Sequence, residues 1–353
     1  MDFLVRRDDL RECRFEAAPV LEPSAGEAVL EIESFSLTSN NVTYAVMGDA
    51  MSYWRFFPAE EGWGRVPVWG FANVAASAHE ELKEGTRLYG YYPPSSHLLV
   101  VPQGVGAGSF TEGSPHRAEL PAVYNSYVRA SDEPNAEEDR QALFRPLFGT
   151  SFLIDDFLDE SAFFGAGSVV LGSASSKTAL GIAFLLGRRE SVQAIGLTSS
   201  GNADFVRGLG VYDQVVTYDE IDALPDTPAV YVDMSGDAGV RGEVHRHYGD
   251  ALAYDCTVGG SHWERLFADP GPLPGPAPEL FFAPDRFRKR GEDWGSGGLE
   301  SRVRDAWGPF DDWLTGWLEV VRGSGAEDVK RAYLELVDGR SAPSTGYVMS
   351  LRG

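Results

Sequence analysis

Ser168 to Gly181 reads SVVLGSASSKTALG, the stretch of this chain best suited to chemistry. An apolar run, Val169 to Leu171, meets Gly172 and a turn of small residues. An apolar, helix-like run from Thr178 to Leu186 follows. A strand, a tight turn and a helix in that order aim backbone N–H groups from the helix N-terminus, where a phosphate can be held. Small residues suit such a turn because a bulky side chain keeps a pyrophosphate off the backbone. Gly172 matches the first glycine of G-x-G-x-x-G, while Ala174 and Lys177 stand at the other two glycine positions. The stretch is therefore open to two readings, a pyrophosphate turn or plain packing.

Other residue groups carry chemical potential. Asn40, Asn41 and Tyr44 have the spacing of one helical side. They are either polar groups facing a substrate, or helix-capping asparagines with a core tyrosine. Tyr124, Asn125 and Tyr127 form a second polar and aromatic group, and Tyr124 reads equally well as core. Tyrosine can give a proton to a developing alkoxide or enolate within hydrogen-bond reach. Tyr53, Trp54, Phe56, Phe57, Trp63 and Trp69 crowd one irregular stretch, as the wall of an apolar pocket or a core cluster would. Phe287 to Arg290, FRKR, reads as a surface salt-bridge cluster or an anion site. His245 and His247 lie two apart on a predicted helix, share no face, and read as solvated. A serine-hydrolase elbow is excluded, because LGSASSK lacks the G-x-S-x-G pattern.

The elements that position these residues follow from periodicity. Ala28 to Phe35 alternates apolar and acidic residues, the pattern of a half-buried antiparallel strand. Val66 to Ala76 and Leu88 to Val101 read as further strands. From Ser168 onward, strands and helices alternate. Strands are expected at 192–197, 214–217, 229–232, 251–257 and 280–283, with helices at 203–209 and 239–248. That alternation predicts a parallel, doubly wound sheet. Periodic segments at 142–158, 301–318 and 327–337 read as helices, and TGYVMSL as a strand returning to the first domain.

Composition narrows the function classes. The chain has 353 residues, 43% hydrophobic and 24% charged, enough for two domains with sizeable cores. Its net charge of −23 repels nucleic-acid backbones and anionic membranes. Two separated cysteines, Cys13 and Cys256, exclude a disulfide framework and a thiolate zinc site. Their sparseness and the charged N-terminus suggest a cytoplasmic protein.

The layout resembles the medium-chain dehydrogenase/reductase superfamily, and most of all its zinc-independent, quinone-oxidoreductase-like branch. The resemblance runs through residues 27–260. It is carried by AVLEIESFSLTSNNVTYAVMGD, VPVWGFANVAASAHEELKEGTRLYGY, SVVLGSASSKTALGIAFLLG and AIGLTSSGNADFVRGLGVYDQVVTYDEI. YNSYVR, SASSKTA and FFAPDRFRKRGEDWG depart from it and mark a divergent, uncharacterised family.

The resemblance implies an α/β chain: a β-rich, GroES-like catalytic domain (1–145 and 295–353) and a Rossmann cofactor domain (146–294). It implies NADP(H) held by Gly172, Ser173, Ala174, Ser175, Ser176, Lys177, Thr178, Thr198, Ser199, Ser200, Tyr218 and Thr257. Thr198-Ser199-Ser200 carries no carboxylate to repel a 2′-phosphate, which favours NADP over NAD. Asn202 stands where related reductases have a lysine for that phosphate. No zinc is expected, because Ser36-Leu37-Thr38 replaces the zinc members' cysteine. Polarisation of a substrate carbonyl then falls to Asn41 and Tyr44, with Tyr124 next. The implied reaction is hydride transfer to or from an activated C=C or C=O of a small apolar or planar molecule. A non-redox lyase on the same fold, or an NADPH-binding protein with little catalysis, are the alternatives. A homodimer is implied by the same resemblance.

Overall fold

In the computed structural model of the chain, residues 1–260, 271–295 and 297–352 are described. Two compact units divide it, Met1–Leu143 with Glu319–Gly353, and Phe144–Leu318.

The first unit is β-rich. Its larger sheet runs in the order Glu319–Ser324, Thr345–Ser350, Ala28–Leu37, Val68–Ser77, Arg87–Tyr92, Ser126–Arg129, Ser109–Glu112, Pro102–Gln103. His97–Val100 also pairs with Ala28–Leu37. Neighbours are antiparallel except the first two, which the helix Gly325–Val337 joins as a parallel crossover. The final strand does return to this unit, with Tyr347 opposite Leu37. The helix Ser39–Val46 follows Ala28–Leu37 directly.

The second unit holds six parallel strands in the order Gln214–Thr217, Gln193–Thr198, Ser168–Gly172, Ala229–Asp233, Leu252–Thr257, Glu279–Leu280. In chain order that is 3-2-1-4-5-6, with the reversal beside Ser168–Gly172. Side chains alternate across the sheet. Val169 and Leu171 pack with Ala179, Ile182 and Ala183 of the helix Lys177–Leu186. Val170 faces the other layer, with Tyr231, Val240 and Val244. A strand buried on both faces reads as a continuous apolar run, which is why VVL stands out in the sequence.

Residues 297–318, expected in the catalytic domain, belong to the second unit. The helix Gly298–Leu314 buries Phe310, whose ring stacks on Phe148 at 4.5 Å and meets Phe184 edge-on at 5.3 Å. Periodicity revealed an amphipathic helix; it does not say which apolar surface that helix covers.

Candidate functional site

Gly172 ends the first parallel strand where there is no room for a side chain. A Cβ there would lie 2.7 Å from the Tyr231 hydroxyl and 3.0 Å from Asp233 Oδ1. Ser173 then takes φ +54°, a left-handed conformation that costs a non-glycine residue about 1–2 kcal/mol. Ser173 N–H donates to the Tyr218 hydroxyl at 3.2 Å. Ala174 N–H donates to the Leu197 carbonyl at 3.0 Å, and the Tyr212 hydroxyl donates to the Ala174 carbonyl at 2.8 Å. Asn202 Nδ2 donates to Ser175 Oγ at 3.1 Å. Ser176 is the N-cap, its Oγ accepting from Ala179 N–H at 3.4 Å. The Thr178 carbonyl accepts from Ser151 Oγ at 2.8 Å. A turn poor in glycine is thus held by residues outside it. Tyr212 carried no sequence signal, because its bond goes to a backbone atom far along the chain.

Lys177, half-buried, begins the helix with its ammonium 5.6 Å from the Phe144 ring centre. Burial pulls its pKa down to about 8. Structurally its charge faces an aromatic ring, a contact that spacing alone did not suggest.

Thr198 is buried at the end of the second strand, paired with Thr217. Ser199 caps a short turn, and Ser200 Oγ donates to Asp219 Oδ2 at 2.8 Å. The tripeptide carries no carboxylate, yet the next strand's end delivers one to it.

Thr257 Oγ1 accepts from Arg241 Nη2 at 2.8 Å. The same Nη2 reaches Asp233 Oδ2 at 2.8 Å, and Arg241 Nε stands 3.3 Å from Asp255 Oδ2. His245 completes this network and corrects the sequence reading: it is fully buried, not solvated. Its Nε2 lies 2.8 Å from Asp255 Oδ2 and its Nδ1 2.7 Å from the Pro274 carbonyl, both acceptors. His247, two residues on, turns away from that face as the helical spacing requires. Burial raises the pKa of Asp233, while Arg241 and the Ser235 hydrogen bonds oppose the shift.

In the first unit, Asn41 is the third residue of the helix Ser39–Val46 and closes a capping box with Thr38. Its Oδ1 accepts from Thr38 N–H at 2.7 Å and its Nδ2 donates to the Pro67 carbonyl at 2.8 Å. The cap and the Pro67 carbonyl use the amide oxygen and one of the two Nδ2 hydrogens. Tyr44, Tyr53, Tyr91 and Tyr124 form one buried aromatic cluster with Phe56, Phe57 and Trp69 beside them. The Trp69 indole N–H donates to the Tyr44 oxygen at 3.4 Å, and the Tyr53 and Tyr124 hydroxyls are 3.4 Å apart. Burial raises the Tyr44 pKa, and the Trp69 hydrogen bond, with Asn40 and Tyr124 nearby, holds the rise back. Tyr91 and Tyr124 are pushed well above the usual phenol value. Tyr127 and Asn125 are structural: the first donates to the Tyr91 carbonyl at 2.7 Å, the second to the Arg117 carbonyl at 3.3 Å.

FRKR lies in the helix Ala283–Trp294 and forms the salt-bridge cluster. Lys289 reaches Glu160 at 2.9 Å and Arg290 reaches Asp156 at 2.6 Å. Among the described residues, no group of three or more His, Cys, Asp or Glu is placed to hold a metal ion. Among them also, no helix is long and apolar enough to cross a membrane.

Solved structures share this two-unit architecture. CurA from Vibrio vulnificus, in complex with NADPH, has a TM-score of 0.62 at 14% identity, covering 97% of this chain and 94% of that one. A mutant enoyl thioester reductase from Candida tropicalis has a TM-score of 0.59 at 10% identity, covering 99% of each chain. The yhdH oxidoreductase from Salmonella enterica, in complex with NADP, has 0.52 at 14%, again covering 99% of each. At such identities the likeness is one of fold. The fold is the GroES-like plus Rossmann pair of medium-chain dehydrogenases/reductases, as the sequence led one to expect. No curated protein matches the sequence. A family model described as "Protein of unknown function (DUF2855)" matches residues 35–342, most of the chain, and the chain belongs to that family.

Proposed function

We propose that this protein is an NADP(H)-dependent, zinc-independent oxidoreductase of the quinone-oxidoreductase-like type. Its substrate is a small apolar or planar molecule with an activated C=C or C=O. The observation that carries the reading is Gly172. It ends the strand at the order reversal of a parallel sheet, is shaped so that a Cβ would strike Tyr231 and Asp233, and leads into a serine-capped helix. The residues present therefore fit a dinucleotide. Gly172 to Thr178, Lys177 included, would hold its pyrophosphate, and Thr198, Ser199, Ser200, Tyr218 and Thr257 its remaining polar groups. NADPH in CurA and NADP in the yhdH oxidoreductase support that choice of nucleotide.

When bound, the nicotinamide supplies or takes up the hydride. The chain's part is to orient the nucleotide and manage the proton. Tyr44 is the proton donor in this reading. The Trp69 indole N–H donates to its oxygen, and Asn40 and Tyr124 also favour its charged form, so a negative charge is better tolerated there than on the neighbouring phenols. Tyr124 supports Tyr44 through its hydroxyl. A cytoplasmic homodimer belongs to the same proposal.

Thermal-shift titration with NADPH and NADH tests the cofactor. A rise in melting temperature with NADPH is expected, and no shift with either nucleotide would sink the proposal. Loss of turnover in Tyr44→Phe, with NADPH binding kept, is the expected result for the proton donor.

A further inference from the structure

Asn202 spends its amide in an unusual way. It is the N-cap of the short helix Ala203–Gly208, where an asparagine ordinarily accepts from the helix's own N–H groups, yet it makes no such cap bond. Instead Nδ2 crosses to Ser175 Oγ at 3.1 Å. A serine hydroxyl has one proton and two lone pairs. With Asn202 occupying a lone pair, the Ser175 proton must be aimed elsewhere. Its flanking residues are tied as well. The Ala174 N–H and carbonyl are both bonded, and Ser176 N–H donates to the Ser173 carbonyl at 2.8 Å. Beneath the turn, the Tyr231 hydroxyl is fully buried and has no hydrogen-bond partner, so the strand end at Gly172 sits over an unsatisfied polar group. Fully packed, satisfied structure would not leave it so.

We infer that Asn202 is a positioning residue for the pyrophosphate: it orients Ser175 so that the hydroxyl serves as the phosphate donor at a turn position without glycine. The inference rests on the dinucleotide reading above and deepens it. Asn202 also joins the loop after the second strand to the phosphate turn. The two parts of the nucleotide site are thereby fixed relative to one another by one side chain.

The test uses the full-length chain and calorimetric titration with NADPH and with 2′-AMP, which lacks a 5′-phosphate. Asn202→Ala and Ser175→Ala should each weaken NADPH about fivefold, the effect of one hydrogen bond. The double variant should lose no more than the larger single loss, because both changes remove the same donor. Binding of 2′-AMP should stay within about twofold of wild type. Asn202→Asp should weaken NADPH more than Asn202→Ala, since a carboxylate takes up the serine proton and adds a negative charge. Unchanged NADPH affinity in Asn202→Ala, additive losses in the double variant, or equal losses for 2′-AMP would each overturn the inference while leaving the dinucleotide reading intact. A wild-type chain that binds neither NADPH nor NADH overturns both.

Discussion

His245 and Asp255 face each other fully buried, with Nε2 2.8 Å from Oδ2. Arg241 shares that carboxylate, and the Pro274 carbonyl takes the other imidazole nitrogen. One side chain therefore ties a helix to a strand and to the segment at Pro274. Removing His245 leaves Asp255 with Arg241 alone and takes the donor from the Pro274 carbonyl, which costs about 1–3 kcal/mol. His245→Ala is expected to lose about that much in urea unfolding. A loss under about 0.5 kcal/mol would show the network to be dispensable.

Tyr231 offers the opposite case. Its hydroxyl is buried without a partner, so deleting it removes a desolvation cost and no bond. Tyr231→Phe should be neutral or stabilising by denaturant midpoint. Gly172→Ala places a Cβ 2.7 Å from that hydroxyl and should destabilise by about 1–3 kcal/mol. Combining the two should recover part of the loss, because the nearest obstructing atom is gone. A double variant no better than Gly172→Ala would point to Asp233 as the obstruction.

The buried tyrosines set the alkaline limit. Burial raises the folded-state pKa of Tyr44, Tyr91, Tyr92, Tyr124 and Tyr127 above the unfolded value near 10. The native state then holds these protons more tightly than the unfolded chain. Stability from this source is whole below about pH 10 and is lost as pH rises above it. Phenolate absorbance from these residues should appear only together with unfolding. Its appearance in a chain still folded by circular dichroism would contradict the assignment.

Lys177 has the other sign. Its folded pKa, near 8, lies below the unfolded 10.5, so the native state binds fewer protons. Holding the charge is costly below pH 8, and the cost fades as pH rises toward 10.5. Lys177→Met should therefore stabilise most at pH 7 and little at pH 10, read as the difference in melting temperature. A pH-independent difference would remove the lysine's titration as its cause.

Asp219 bears on nucleotide choice. Its carboxylate accepts from Ser200 at 2.8 Å, beside the Thr198-Ser199-Ser200 segment proposed to meet the nucleotide. A 2′-phosphate there meets a negative charge, worth about 1 kcal/mol at ~4 Å in water. Asp219→Asn should raise NADPH affinity about fivefold and leave NADH nearly unchanged. An equal change for both nucleotides would place Asp219 away from the 2′ position.

The local sequence determined what local physics controls. The VVL run before Gly172, the small residues of the turn and the apolar helix after it follow from side-chain period and backbone sterics, which act within a few residues. The strand–helix alternation from Ser168 onward, and the return of TGYVMSL to the first unit, were legible for the same reason. Tertiary structure decided what depends on distant partners. The Asn41 amide, whose oxygen meets the local Thr38 N–H, is fixed at its other end because the Pro67 carbonyl lies within reach. His245 became core because Asp255 and Pro274 enclose it. The helix Gly298–Leu314 joined the second unit because Phe148 and Phe184 offered Phe310 a surface. Asn202 and Ser175 stand 27 residues apart, and only the parallel pairing of their strands brings the amide to the hydroxyl. Hydrogen bonds and packing are satisfied by whichever group the fold delivers, and that delivery is not written in the spacing of either residue.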